Sequence, residues 1–261
     1  RCWLLGGLLL PSLVVVHAEV EPETIATPDV AQIDTGEYFS CALSTTYGLK
    51  CWGSNEFGQL GYGDATPRGG NVGDIGPDAL TDVDFGAEIG VSSFCLGAKH
   101  GCMLSDTGTV KCWGANFYGQ LGYDDSNPRG DAAGEMGDLL PSVWLGEGAV
   151  ATSVACGRYF SCALVGGSVY CWGDNSHGQL GTELNSDFVG ATAGSMAVNG
   201  SAVNLGLSIS EFVESIYAGG FHACVMTNFQ YAYCWGLNDK GQLGYQDKVN
   251  RGVYVSEGSL L

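Results

Sequence analysis

Eleven cysteines are the residues of this 261-residue chain whose type and spacing could do chemistry. Eight of them fall in order. Cys41 and Cys51 stand ten apart, Cys102 and Cys112 ten, Cys162 and Cys171 nine, and Cys224 and Cys234 ten. Sulfurs so placed could form disulfides, bind zinc, or pack reduced as small core residues. The spacing favours disulfides. Val165 and Ser168 flank Gly166-Gly167, which suits a two-residue primed turn; counting outward from it, Cys162 faces Cys171. Asp106-Thr107-Gly108 suits a three-residue loop with a glycine bulge, and Cys102 then faces Cys112. The nine-residue spacing thus goes with the shorter turn, as cross-strand partners require. Alternation from either turn puts each pair at a non-hydrogen-bonded site with Cα atoms about 4.5 Å apart, inside the disulfide range. For the rival chemistry, no C-x-x-C zinc knuckle occurs. Cys95 and Cys156 have no hairpin partner, and both mutual pairing and free thiols remain open for them.

The other reactive side chains are sparse. His100 and His222 stand just before a hairpin cysteine, where Phe39 and Phe160 stand in the other two hairpins, which points to packing or a bond to a neighbouring turn. His177 is a turn residue. No nucleophile–base set, phosphate loop or metal cluster is evident, so neither catalysis nor a cofactor is expected. Carboxylates are abundant: 28 Asp and Glu against 10 Lys and Arg give a formal charge of −18, which disfavours nucleic acid as a partner. Many acids fall in Gly/Asp-rich segments, at Asp64, Asp74 and Asp78, then at Asp124, Asp125, Asp131, Glu135 and Asp138. An acidic rim could bind a basic protein or calcium, and solvated loops would read the same way. No spacing matches an EF-hand or a nonapeptide calcium repeat. Arg129-Gly130-Asp131 matches a cell-adhesion tripeptide, which the arginine-glycine habit of the repeat explains. Asn199-Gly200-Ser201 is an N-glycosylation sequon.

The elements that hold these residues come from a repeat. Cys51-Trp52-Gly53-Ser54-Asn55-Glu56-Phe57-Gly58-Gln59-Leu60-Gly61 returns from Cys112, from Cys171 and from Cys234, so Trp52, Trp113, Trp172 and Trp235 follow one another at 61, 59 and 63 residues. Each unit has an apolar strand, a cysteine-bracketed hairpin, a tight turn closing on Gly-Gln-Leu-Gly, a long Gly/Asp-rich segment and a last short strand such as Ser142 to Gly146. Three or four short strands per unit describe one blade of a β-propeller, an all-β fold in which blades bury their faces on one another. The tryptophans suit blade-to-blade packing. Asn55, Asn116, Asn175 and Asn238 suit bonds to their own turns. Gln59, Gln120, Gln179 and Gln242 suit satisfaction of backbone groups between strands.

The first residues read as an export signal. Trp3 to Val16 is an apolar run of h-region length, Val16-His17-Ala18 offers a cleavage site, and Arg1 reads as the remnant of a positive n-region. The expected division is a signal at 1–18, containing Cys2, a polar linker at 19–32, and propeller units at 33–93, 94–153, 154–214 and an incomplete 215–261. Export places the protein in an oxidising compartment, outside the cell or in a secretory or periplasmic lumen, with no membrane insertion after cleavage.

The pattern G-x-x-x-x-C-x-L, then G-x-V-x-C-W-G-x-N-x-x-G-Q-L-G, resembles the repeat of the regulator of chromosome condensation family, from Ile33 to the end of the chain. The resemblance implies a β-propeller, commonly of seven blades. About four are present here, so a fragment or an open arc is expected. It also implies protein binding. Within it, a secreted, disulfide-containing subgroup suits the cysteines. The function expected is a non-catalytic module that binds a protein partner of unknown identity through the acidic loops. Guanine-nucleotide exchange on a small GTPase is the alternative that the resemblance implies, although no residue here can be matched to that activity. A carbohydrate-active propeller is a more distant alternative.

Overall fold

A computed structural model of the chain describes residues 30–75, 79–87, 89–182, 186–196 and 202–252. The signal segment, most of the linker, Cys2, Asp78 and Asn199 lie outside these residues. Four antiparallel sheets follow one another. The first holds β1 (Val30–Thr35), β2 (Phe39–Ser44) and β3 (Leu49–Gly53), and the second β4 (Val91–Leu96), β5 (His100–Ser105) and β6 (Val110–Gly114). The third holds β7 (Ala151–Cys156), β8 (Phe160–Val165), β9 (Ser168–Asp174) and a short β10 (Phe188–Val189). The fourth holds β11 (Val213–Ala218), β12 (His222–Thr227) and β13 (Ala232–Gly236). Each sheet is one blade. The chain is all-β, as its repeat implies.

Two local features depart from the sequence reading. β1 begins at Val30, inside the segment read as linker, and β4, β7 and β11 likewise open a few residues ahead of the expected unit bounds. The cause is a bulge. Pairing skips Ala31, Ser92, Thr152 and Glu214, and one extra residue breaks the two-residue alternation by which a strand is recognised. The last short strand of the unit, expected at Ser142 to Gly146, is also not a strand. The edge of β6 is instead touched at its two ends. Arg129 exchanges backbone bonds of 2.8 and 3.1 Å with Gly114, and Val143 donates to the Val110 carbonyl at 2.8 Å. The Gly/Asp-rich segment bows away between those points. Among the described residues, only the third blade extends the contact into a short strand, where β10 pairs with β9.

Blades pack in chain order, through β1 on β4, β4 on β7 and β7 on β11. Their inner turns are linked by backbone bonds from Glu37 to Ala98 (3.0 Å), Ala98 to Arg158 (3.1 Å) and Arg158 to Gly220 (2.9 Å). Alternation gives each sheet two unlike faces. Cys102, Leu104, Val110 and Cys112 face blade three, whereas Met103 and Trp113 face blade one. The two middle blades are therefore buried on both faces, and every residue of β5 and β6 is buried. The end blades are not. Ile33 is 62% exposed on β1 and Tyr217 61% exposed on β11, so the described blades form an open arc.

Candidate functional site

The repeated residues are spent on architecture. Asn116 Oδ1 accepts the Leu121 N–H (3.0 Å) and its Nδ2 donates to the Asp125 carbonyl (2.8 Å), so one side chain ties the turn to the loop that follows. Asn55, Asn175 and Asn238 do the same work. Gln120 Oε1 accepts the Tyr118 N–H at 2.9 Å, within its own turn rather than between strands. The Gln120 backbone carbonyl makes the inter-blade contact, since Trp172 Nε1 of the next blade donates to it at 2.9 Å. Trp113 reaches Gln59 and Trp235 reaches Gln179 identically. These three tryptophans are fully buried, and Trp52, with no described blade before it, is half-buried. Gly119, at φ +77°, has no room for a side chain, because a Cβ would lie 2.3 Å from the Ala191 nitrogen of the neighbouring loop.

A tyrosine that the sequence reading passed over completes the turn. Tyr123 Oη accepts the Cys112 N–H (2.8 Å) and donates to the Cys112 carbonyl (2.9 Å). Both groups point away from β5, as they must if Cys112 occupies a non-hydrogen-bonded site of that hairpin. Tyr62 serves Cys51 in the same way, and Tyr245 accepts from Cys234. The signal was an aromatic residue directly after Gly-Gln-Leu-Gly in the first, second and fourth units, with Thr182 there in the third.

The structure brings the hairpin cysteines together. Cys41 and Cys51, Cys102 and Cys112, Cys162 and Cys171, and Cys224 and Cys234 are cross-strand neighbours with sulfurs at bonding distance and Cα atoms 4.0–4.1 Å apart. Cys95 and Cys156 meet as well. They stand on the innermost strands of blades two and three, with Cα atoms 5.4 Å apart, and their sulfurs join the two blades.

The acids of the loops are brought into internal bonds. Asp64 pairs with Arg68 (2.7 Å) and Asp125 with Arg129 (2.6 Å), and Asp247 pairs with Arg251 (2.8 Å) in blade four. The bonded Arg251 guanidinium and the Val249 N–H hold the Asp247 carboxyl down at about 2. Asp74 accepts backbone N–H groups from Asn71 and Gly69, Glu135 from Gly130 and Ala132, and Asp138 from Ala87. Asp124 accepts from Ser195 and Met196 of the next blade. Partial burial, together with the Glu135 carboxyl beside it, pushes Asp131 above the usual carboxylate range. Thus, among the described residues, Asp74, Asp124, Asp131, Glu135 and Asp138 form no ion pair, while Asp64 and Asp125 are neutralised by arginine.

Around the inner turns lies a cavity of about 390 Å³, lined by Glu37, Ala98, Cys156, Arg158 and Phe221 among others. Arg158 and Glu37 form an ion pair across it at 3.2 Å. Close by, His100 is wholly buried between blades two and three, with Nε2 2.9 Å from Ser161 Oγ. Burial holds its imidazole neutral, pushing its pKa down to about 3. His177 instead stacks edge-on against Phe221.

Blades stapled by cysteines and locked by a tryptophan reaching backward define a repeat β-propeller. The profile of the regulator of chromosome condensation (RCC1) repeat matches four times, at residues 30–59, 91–120, 151–179 and 213–242, and a second RCC1 profile matches 107–164 and 166–198. The chain belongs to that family. It is 28% identical over 236 residues to the probable E3 ubiquitin-protein ligase HERC4 of Homo sapiens, covering 88% of this chain and 19% of that protein. It is 30% identical over 236 residues to Protein RCC2 of Homo sapiens, covering 82% of this chain and 41% of that one. The crystal structure of human WBSCR16 superposes with a TM-score of 0.63 at 22% identity, covering 86% of this chain and 50% of that one. That of Prp20p from Saccharomyces cerevisiae superposes at 0.62 and 19% identity, covering 88% and 51%. The chain thus spans about a fifth of the curated ligase and about half of these solved chains.

Proposed function

We propose that this chain is a non-catalytic, exported β-propeller module that binds a protein partner through the Gly/Asp-rich loops on one rim. The observation that carries this reading is the division of labour within the repeat. The recurrent Asn, Gln, Trp, Tyr and Cys residues are consumed by bonds within and between blades, so recognition falls to the loops that differ from blade to blade. Those loops are held rigid by their own carboxylates, which lowers the ordering cost of binding. Asp131, Glu135 and Asp138 accept or face polar groups without an arginine partner, and on a chain of charge −18 they select a basic surface. The paired cysteines favour an oxidising compartment.

The test pairs capture with charge. Secreted protein used as bait retains a partner in low salt, and replacing Asp131 by lysine, which leaves the loop bonds of Glu135 and Asp138 in place, releases it while the near-ultraviolet dichroism of the tryptophans is unchanged. Retention of the same partner by the lysine variant overturns the acidic-rim reading. Finding all the cysteines as free thiols in the native protein overturns the exported one. The second reading, exchange on a small GTPase, comes from the family. Prp20p, which shares the fold, binds Gsp1p and histones. Exchange would be seen as accelerated release of labelled GDP from a loaded GTPase. Ligase activity is not carried over, because the match covers only 19% of the named ligase.

A further inference from the structure

A connected belt of aromatic rings crosses the blade junctions. Phe57 of blade one meets Phe117 of blade two edge-on, with ring centroids 5.1 Å apart. Tyr118, next in the chain, lies 5.4 Å from Phe188 and 5.0 Å from Tyr159 of blade three. Phe221 of blade four continues the line, 6.2 Å from Tyr159 and 5.3 Å from His177. At one end Phe221 borders the cavity of the inner turns. At the other the backbone of Asp131 lies against Gly58, the residue after Phe57. The belt therefore joins the cavity to the acidic loop of blade two.

Two members of the belt are open to solvent, and the repeat does not ask for them. Phe117 is 54% exposed and Phe188 40%. The positions that match Phe117 in the other turns hold Glu56, Ser176 and Asp239, and those that match Phe188 hold Pro67, Pro128 and Asn250. Turn and loop thus form without a ring in either place. Exposed aromatic rings gathered in one patch mark a surface that another molecule covers. Each of the two has a carboxylate at hand. Glu56 precedes Phe57, whose ring touches Phe117, and Asp187 precedes Phe188. Both acids are exposed and, among the described residues, neither forms an ion pair.

The protein shows on itself what such a pairing of ring and acid holds. Arg158 lies over Tyr159, 5.3 Å from the ring centre, and 6.0 Å from that of Phe221, while its guanidinium bonds Glu37 at 3.2 Å. Arg68, Arg129 and Arg251 repeat the arrangement, each over a tyrosine and paired with an aspartate. Among the described residues, Phe117 and Phe188 have ring and carboxylate but no cation of their own. We infer that the belt is the docking surface for arginine side chains of a basic protein partner, with guanidinium groups stacked on Phe117 and Phe188 and bonded to Glu56 and Asp187. Arginine suits the place better than lysine. Its plane stacks on a ring and its fork meets a carboxylate with two bonds, whereas an ammonium is a strongly hydrated point charge. The overall charge of −18 draws such a partner in. The inference rests on the reading of the chain as a protein-binding module, and it names the side chain that the partner supplies.

Labelled peptides of alternating glycine and arginine, or glycine and lysine, carry the same charge and serve as probes of the full chain in fluorescence anisotropy. The arginine peptide should bind about tenfold more tightly than the lysine peptide. Phe117→Ser with Phe188→Asn, residues that other blades carry there, should bring that ratio to about one while the near-ultraviolet dichroism of the tryptophans is unchanged. Should that pair disturb the fold, the isosteric Glu56→Gln with Asp187→Asn should still narrow the ratio by about threefold. Asp131→Lys changes charge alone, so it should weaken both peptides alike and leave the ratio standing; absence of that weakening would sink the acidic rim and not the belt. Equal binding of the two peptides by the unaltered protein, or a ratio that survives loss of both rings, overturns the inference. So does self-association of the free chain in sedimentation that loss of both rings abolishes, since a second copy is then the occupant.

Discussion

Trp113, Trp172 and Trp235 each fill the groove of the preceding blade and satisfy its glutamine carbonyl. Trp172→Ala should cost about 3–5 kcal/mol in urea unfolding, and Trp52→Ala clearly less, because Trp52 is only half-buried. Tyr123→Phe leaves the N–H and carbonyl of Cys112 without their partner, a loss of about 1–3 kcal/mol, with Tyr245→Phe milder because its bond to Cys234 is exposed. Asp247 supplies a pH test. Its folded carboxyl sits at about 2, below the usual carboxylate value. Its support for the loop is therefore in full force above that ordinary value and is lost as pH falls through about 2. Hydrogen exchange in residues 246–252 should stay slow at pH 4, and Arg251→Ala should speed it there. At this scale the sequence was legible wherever a residue's job is local. Asparagines bonding their own turns and cysteines across a hairpin follow from nearest-neighbour spacing. The role of the loop acids was less clear, because acidity suggests a surface for others. The missed signal was the arginine four residues after Asp64, Asp125 and Asp247, which turns a free charge into a loop clasp.

Elements explain the next layer. The pairing of Cys95 with Cys156 could not be derived from hairpin counting, since it depends on how closely two sheets stack. Their separation of 61 residues, nearly one repeat, is the trace that stacking leaves in the sequence. A bond closing that long loop should be worth about 4 kcal/mol, against about 3 for a ten-residue hairpin loop. Chemical denaturation of Cys95→Ser beside Cys41→Ser should show that order. Exposure sets a different order for reduction. Cys224 and Cys234 are half-buried on the outer face of the arc, whereas Cys102 and Cys112 are fully buried. Timed alkylation under dithiothreitol should find the blade-four pair opening first and the blade-two pair last. The strand bulges were hidden from the sequence for a related reason: one skipped residue at Ala31 or Ser92 shifts the face of everything before it.

At the scale of the whole molecule, stability should be a sum of blades and junctions. Blades two and three each have two neighbours and blades one and four one each among the described residues. Native-state hydrogen exchange should therefore place β5, β6, β8 and β9 at the slow end, with β1 and β13 opening well before them. Family membership and the propeller were readable from four recurrences of one motif. The openness of the arc was expected from a count of four units in a family of commonly seven blades, and the exposure of Ile33 and Tyr217 bears it out.

The two sides of a blade differ in kind, and every blade is mounted the same way round, tryptophan behind and sulfur ahead. Such an arc has a polarity like that of a threaded coupling, with unlike ends. Blade four can be extended only by something presenting an indole and a strand to its sulfur side, and blade one only by something offering a carbonyl-lined socket. Copies of this chain meeting through their ends would join nose to tail and never about a two-fold axis, so such growth ends only when a ring closes.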